Sequence, residues 1–305
     1  MAAGLTSVAL IGAGRWGRQL LRVFESRCRV VQVGHRGSPE TDAWLHRAYP
    51  HLARTTDCEA IFTDPAVEAV VLATPIATHA RLARAALEAD KHVFVEKPLA
   101  TDPADARALM DLASSRRRVL FVGHVFLYHP VLERIQQFTA DDPVRFAAFT
   151  WQKLGTFEED LFWNLASHDV ALALDLFGER PREAALLDAR GVVTACDLAS
   201  IRLTFSGGRS ALLMVNRCSP LRAKQVTLTT EQGRVLAWDA ARLLRLSPDH
   251  SWEEVPADRE EPLVREVNAF LGCLEDAATP GPGADSAVAV VELVEQLASQ
   301  AGALA

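Results

Sequence analysis

Two side chains in this 305-residue sequence have the surroundings that proton chemistry needs. Lys97 sits in Glu96-Lys97-Pro98, directly after the apolar run Val93-Phe94-Val95. A lysine at the carboxyl end of a buried parallel strand lies at the sheet edge where ligands bind. Its ammonium can hydrogen-bond a hydroxyl or carbonyl oxygen. Desolvation or nearby positive charge lowers its pKa until it exchanges a proton near neutrality. His168 sits in Trp163-Asn164-Leu165-Ala166-Ser167-His168-Asp169. Histidine is the usual proton shuttle at neutral pH. On a helix, Asn164 and His168 are four apart and share a face, so both could reach one ligand. Trp163 and Trp151 could offer a ring face to a sugar. Tyr128 and His129, close to His124, could line the same pocket. Each candidate also has a plainer reading: an exposed lysine in a βα turn, or a half-buried histidine paired with Asp169.

The elements that must position these groups start at Val8-Ala9-Leu10-Ile11, a short β-branched run that reads as a buried strand. Gly12, Gly14 and Gly17 follow, with Arg15 and Trp16 between them. The spacing predicts a tight turn, close approach of a pyrophosphate to the backbone, and a helix packed closely on the strand. A second strand, Arg29 to Gly34, should end beside the adenosine ribose, roughly 20 residues beyond the glycines. His35, Arg36 and Ser38 stand where NAD-preferring folds carry a carboxylate. Arg36 could pair with a 2′-phosphate and Ser38 could donate to it, so NADP is the expected cofactor and NAD the alternative. Thr74-Pro75 and Thr78-His79 form another βα turn at the same edge, and Glu96 ends the next strand beside Lys97. All of these are expected cofactor contacts.

Strands and helices alternate to about residue 123, which predicts an α/β Rossmann domain (1–123) with a parallel sheet. Beyond it, 124–305 reads as an α+β domain with an open, mostly antiparallel sheet. Helices are expected over 128–139 and 161–177. A meander of strands is expected from Leu198 to Ser247, with Ser206-Gly207-Gly208 as a hairpin turn. A helix over 262–277, a loop at Thr279-Pro280-Gly281-Pro282-Gly283 and a last helix capped by Asp285-Ser286 close the chain. The meander is apolar on both faces, as in Leu212-Leu213-Met214-Val215, which points to a homodimer or homotetramer.

A net charge of −7 argues against nucleic acid as a partner. Five scattered cysteines without C-x-x-C spacing suit a reducing compartment and no zinc site. With no secretory pattern or bilayer-length apolar run, a cytoplasmic protein away from membranes is expected.

Several stretches together resemble the Gfo/Idh/MocA family of oxidoreductases: GAGRWG, ATPIATH, HVFVEKPLA, VGHVFLYHP, WNLASHDVALALDLFG and PLVREVNAFLGCLED. The VGHVFLYHP and WNLASHD stretches look most like the branch acting on nucleotide sugars, such as UDP-N-acetylglucosaminuronate 3-dehydrogenases. The resemblance implies hydride transfer between a nicotinamide and a carbinol or ketone carbon of a sugar or nucleotide-linked sugar. It matches Lys97 and His168 to the family's lysine and histidine. Where the family often has an aspartate four residues before the histidine, this sequence has Asn164, which cannot take up a proton. That departure leaves two alternatives open: reduction of a C=N bond, and a cofactor-binding regulator without turnover.

Overall fold

The first apolar run forms β1 (Ser7–Ile11), and the glycine-rich turn leads straight into α1 (Arg15–Glu25). A computed structural model describes residues 6–239, 241–276 and 284–304. The chain divides into two compact units, Met1–Val125 with Leu263–Val288 and Phe126–Pro262 with Ala289–Ala305.

The first unit continues with β2 (Arg29–Gly34), α2 (Pro39–Ala48), β3 (Ala53–Thr55), α3 (Cys58–Thr63) and β4 (Ala69–Leu72). Then come α4 (His79–Glu88), β5 (His92–Glu96), α5 (Pro103–Arg116) and β6 (Leu120–Gly123). The six strands are parallel, in the order β3-β2-β1-β4-β5-β6. This is the doubly wound dinucleotide-binding order, whose ligands lie off the carboxyl ends of the strands. Local signals set the helix starts. Ser38 precedes Pro39 and Asp102 precedes Pro103, each accepting a backbone N–H of its helix.

The three-residue β3 carries no apolar period and was not anticipated. The expected boundary near 123 also left out a late segment of this unit. Helix α8 (Pro262–Asp276) brings Phe270 against Phe24, Phe94 and Phe121, with ring centroids 5.5–6.0 Å apart. All four rings are essentially water-free, and such edge-to-face packing adds to the area they bury.

The second unit begins with a 3₁₀ turn (Val125–Tyr128), then α6 (Pro130–Thr139), β7 (Val144–Leu154), a π turn (Phe162–Ala166) and α7 (Ser167–Phe177). Gly178, in the left-handed region at φ 65°, ends α7. The strands are β8 (Glu183–Arg190), β9 (Leu198–Thr204), β10 (Ser210–Asn216), β11 (Cys218–Thr230), β12 (Val235–Trp238), β13 (Leu243–Leu246) and β14 (Trp252–Val255). They form one sheet in the order β14-β13-β12-β11-β7-β10-β9-β8. The sheet is antiparallel except for β10 beside β7. It is therefore not the simple meander expected, because β7 inserts between β10 and β11. Edge strands β8 and β14 were also missed. Both carry exposed charges, Glu183, Asp188 and Arg190 in β8 and Glu253 and Glu254 in β14, as edges often do, beside the exposed Leu187 and Trp252.

One sheet face carries the core, with Ile201, Leu203, Leu213, Val215, Val226 and Leu228 buried together with Leu172 and Phe177 of α7. The last helix, α9 (Ala284–Leu304), contributes Gln300, whose Oε1 accepts the Leu186 N–H at 2.8 Å. The expected loop over 279–283 lies outside the described residues, as does the side chain of Asp285, the expected cap. No described helix is long and apolar enough to cross a membrane.

Candidate active site

At the end of β1 the glycines are required by their neighbours. Gly12 has φ +104°, and a Cβ there would lie 2.3 Å from the Ala73 carbonyl oxygen. A Cβ on Gly17 would lie 1.8 Å from the Gly12 carbonyl oxygen, so α1 can start this close to β1 only with glycine. Gly14, the N-cap, faces open space and offers no side chain to the first-turn N–H groups. Those N–H groups and the positive end of the helix dipole suit a pyrophosphate. The turn thus fits a dinucleotide, with Arg15 and Trp16 exposed on its rim.

Trp16 also ties this turn to the end of β5, because its indole N–H donates to Glu96 Oε1. Glu96 is buried. Burial pushes its carboxyl up to about 7, against the opposing pull of the Trp16 bond and the Lys97 charge. Glu266 of α8 is wholly buried, and burial together with Glu96 holds its carboxyl well above the usual range. Next to Glu96, Lys97 is half-buried, and its peptide bond to Pro98 is cis.

His79 sets the height of the two flanking loops. Its Nδ1 meets the Pro98 carbonyl oxygen and its Nε2 the Thr74 carbonyl oxygen, both at 2.8 Å. Burial lowers its proton affinity, the two carbonyls raise it, and the Lys97 charge lowers it further; the net direction is down. The Thr78 hydroxyl bonds the Thr74 hydroxyl and the Pro75 carbonyl at 2.7 Å each. Burial pushes His124, at the end of β6, down to about 3, with Lys97 adding to the effect, so it is neutral. The chain therefore surrounds Lys97 with groups whose charge it influences.

Beyond β2 the structure adds a residue that the sequence reading overlooked. Arg36 is exposed, Ser38 is spent partly on capping α2, and His35 Nδ1 accepts the Gly37 N–H at 3.2 Å. His35 Nε2 lies 3.6 Å from Asp42, and Arg54 of β3 pairs with the same carboxylate at 3.0 Å. Arg54 thus places a second guanidinium beside the end of β2. Its signal was hidden in a strand too short to read.

In the second unit, Asp160 Oδ1 accepts the N–H groups of Phe162 (2.8 Å) and Trp163 (3.0 Å), which opens the π turn. Asn164 and Trp163 are half-buried within it. The step from Asn164 to His168 therefore starts in a wider turn than the α-helix expected. His168 packs edge-on against Phe126 and tilted against Trp151, centroids 5.0 Å away in both cases. Tyr128 is half-buried in the 3₁₀ turn. His129 is the N-cap of α6, with Nδ1 accepting the Val131 N–H at 3.2 Å, and its ring lies 4.8 Å from that of Trp238.

Arg217 anchors the segment that leads into the π turn. Its guanidinium bonds Asp197 Oδ1 (2.8 Å), the Thr156 carbonyl (2.9 Å), the Glu159 carbonyl, Thr194 Oγ1 (2.7 Å) and the Cys196 carbonyl (2.8 Å).

Residues 6–124 match the Gfo/Idh/MocA family, an oxidoreductase family with an NAD-binding Rossmann fold. Over those residues the chain is similar to the NAD-binding domain of that family. Among its relatives is UDP-N-acetylglucosamine 3-dehydrogenase of Acidithiobacillus ferrooxidans, 29% identical over 68% of this chain and 66% of that protein. The chain thus spans just under two thirds of that relative's length in the match. Inositol 2-dehydrogenase of Rhizobium meliloti is 24% identical over 94% of both chains. The solved structure of the Acidithiobacillus enzyme superposes with a TM-score of 0.87 at 22% identity, covering 95% of this chain and 96% of that one. The fold of that enzyme therefore extends through both units of this chain.

Proposed function

We propose that this chain is an NAD(P)-dependent oxidoreductase acting on a sugar or a nucleotide-linked sugar. The observation that carries the reading is the Trp16–Glu96 bond, which joins the dinucleotide turn to the strand end bearing Lys97. The family relatives that act on a nucleotide sugar and on inositol support the substrate class. When bound, the nicotinamide supplies the hydride acceptor or donor. Gly12, Gly14, Gly17, Arg15 and Trp16 would hold the pyrophosphate end. Thr74, Pro75 and Thr78 would flank the cofactor, with His79 and Glu96 supporting them from within the protein. Lys97 hydrogen-bonds the reacting oxygen and exchanges its proton, and His168 is the partner acid or base. Trp163, Asn164, Tyr128 and His129 orient the substrate. Oxidation of either dinucleotide in the presence of keto sugars, keto nucleotide sugars and cyclic imines tests the reading. Turnover of imines alone would replace it, and no turnover across the panel would leave a cofactor-binding regulator.

Cofactor choice follows from charge. Arg36 is exposed, and Arg54 neutralises Asp42, the carboxylate beside His35. NADPH is expected to bind more tightly than NADH. Arg36→Ala should narrow the gap by roughly 1–2 kcal/mol, the scale of a charge-assisted hydrogen bond. Calorimetric titration of both cofactors checks this, and NADH preferred by the unchanged protein would refute it.

The second unit's open sheet face supports a homo-oligomer. Met214 (50% exposed), Leu212 (39%) and Leu154 (68%) lie on that face across β10 and β7. Such an apolar face is the kind that a second copy covers. Light scattering at micromolar concentration should report at least a dimer, and Met214→Glu should shift it towards monomer.

A further inference from the structure

Lys224 of β11 stands directly across the ladder from Trp151 of β7, so the two side chains share a face. Its Nζ lies 3.5 Å from the Trp151 ring centre, 3.9 Å from that of Phe126 and 3.1 Å from Asp169 Oδ1. Distances this short to two ring faces make a cation–π box. His168 rests on the same two rings, and Asp169 is its neighbour in the chain.

We propose that Lys224 is a positioning residue for His168. Its grip on Trp151 and Phe126 fixes the imidazole's bed, and its charge, balanced by Asp169, sets the imidazole's proton affinity. This rests on the reading of His168 as an acid–base group. Burial lowers the proton affinity of Lys224 and raises that of Asp169, and each counters the shift in the other. Among the described residues, Asp169 Oδ2 is buried without a hydrogen-bond partner, so Lys224 is what balances this carboxylate. The other charged or titratable groups on the elements meeting here are Arg145 and Lys153 of β7, Cys218 and Arg222 of β11, Asp175 of α7 and Tyr128 of the 3₁₀ turn; the Lys153 Nζ is 6.0 Å from the Trp151 ring.

The test is an NMR titration of the His168 ring proton in the full chain, assigned with His168→Gln. Lys224→Met leaves the Asp169 anion unbalanced, and the His168 midpoint should rise by roughly half a pH unit or more. Asp169→Asn leaves the ammonium unbalanced, and the midpoint should fall by a similar amount. Lys224→Arg should hold it near the original value. The two opposite shifts test the same charge balance, so if one variant does not fold the other decides. An unmoved midpoint in a folded variant, or two shifts of one sign, overturns the proposal. Unmoved midpoints together with an inactive His168→Ala variant would leave the acid–base reading intact and remove only Lys224 from it. Shifted midpoints with a fully active His168→Ala variant would overturn the reading of His168 and with it the role of Lys224.

Discussion

Replacing Lys97 with alanine is expected to cut turnover by about 10²–10⁴-fold, the usual scale for a positioned acid–base group. Cofactor affinity should hardly change. The turn proposed to hold the pyrophosphate is shaped by Gly12 and Gly17, whose close neighbours are the Ala73 and Gly12 carbonyls. Around Lys97 the other titratable groups are set for support. His124 is held neutral by burial, His79 bonds the two loop carbonyls, and Glu96 bonds Trp16. On the proposed reading the half-buried ammonium gives up or takes back the proton. Lys97→Arg should not rescue, because a guanidinium does not exchange its proton at working pH. His168→Ala should cost as much or somewhat less, and the double variant should fall short of the sum. Steady-state kinetics beside a calorimetric Kd for the dinucleotide separate the two effects. Full activity in Lys97→Ala would place the chemistry on another residue.

Arg217→Met is the second large effect, and it acts on stability. Arg217 and Asp197 have side chains only 3% and 0% exposed. Removing one member of a buried, hydrogen-bonded ion pair costs about 3–5 kcal/mol, because its partner is left uncompensated. Three carbonyls and Thr194 lose their donor as well. The loss should appear in urea unfolding of the second unit, with the π turn that carries Trp163 and Asn164 loosening first. The pair also predicts acid sensitivity. Burial alone would raise the Asp197 carboxyl, but the N–H groups of Thr194, Val192 and Val193 and the Thr194 hydroxyl outweigh it. They hold it well below the ordinary carboxylate range. A depressed folded pKa gives stability that is complete above the unfolded value, near 3.8, and is lost as pH falls below it. Unfolding at pH 3 that is as hard as at pH 6 would contradict this account.

What could be read in the sequence was whatever is local. The turn after β1 needs glycine within a few residues, and Asp102-Pro103 announces its own helix. The strand ending at Lys97 is a run of buried β-branched and aromatic residues. Partners far apart in the chain leave no such trace. Alternation along Ser210–Asn216 shows a strand with one buried face, but not that it lies parallel to β7. Arg217 reads as an ordinary strand-end arginine until Asp197, twenty positions earlier, folds against it. Lys224 breaks an apolar period and so suggests exposure, whereas Trp151 across the ladder puts it among rings. The π turn left no local mark either: counting by fours assumed α geometry where the chain has a wider turn.

The aromatic slot in the first unit has a consequence for how the protein is made. Phe24, Phe94 and Phe121 emerge early from the ribosome, while Phe270 follows only after every strand of the second sheet has been made. At about 5–20 residues per second, that interval is on the order of ten seconds. Throughout it the nascent Rossmann layer carries an open apolar notch where α8 will lie. A nascent chain stalled before Leu263 would keep that notch exposed and would present a chaperone-binding surface that the finished protein lacks.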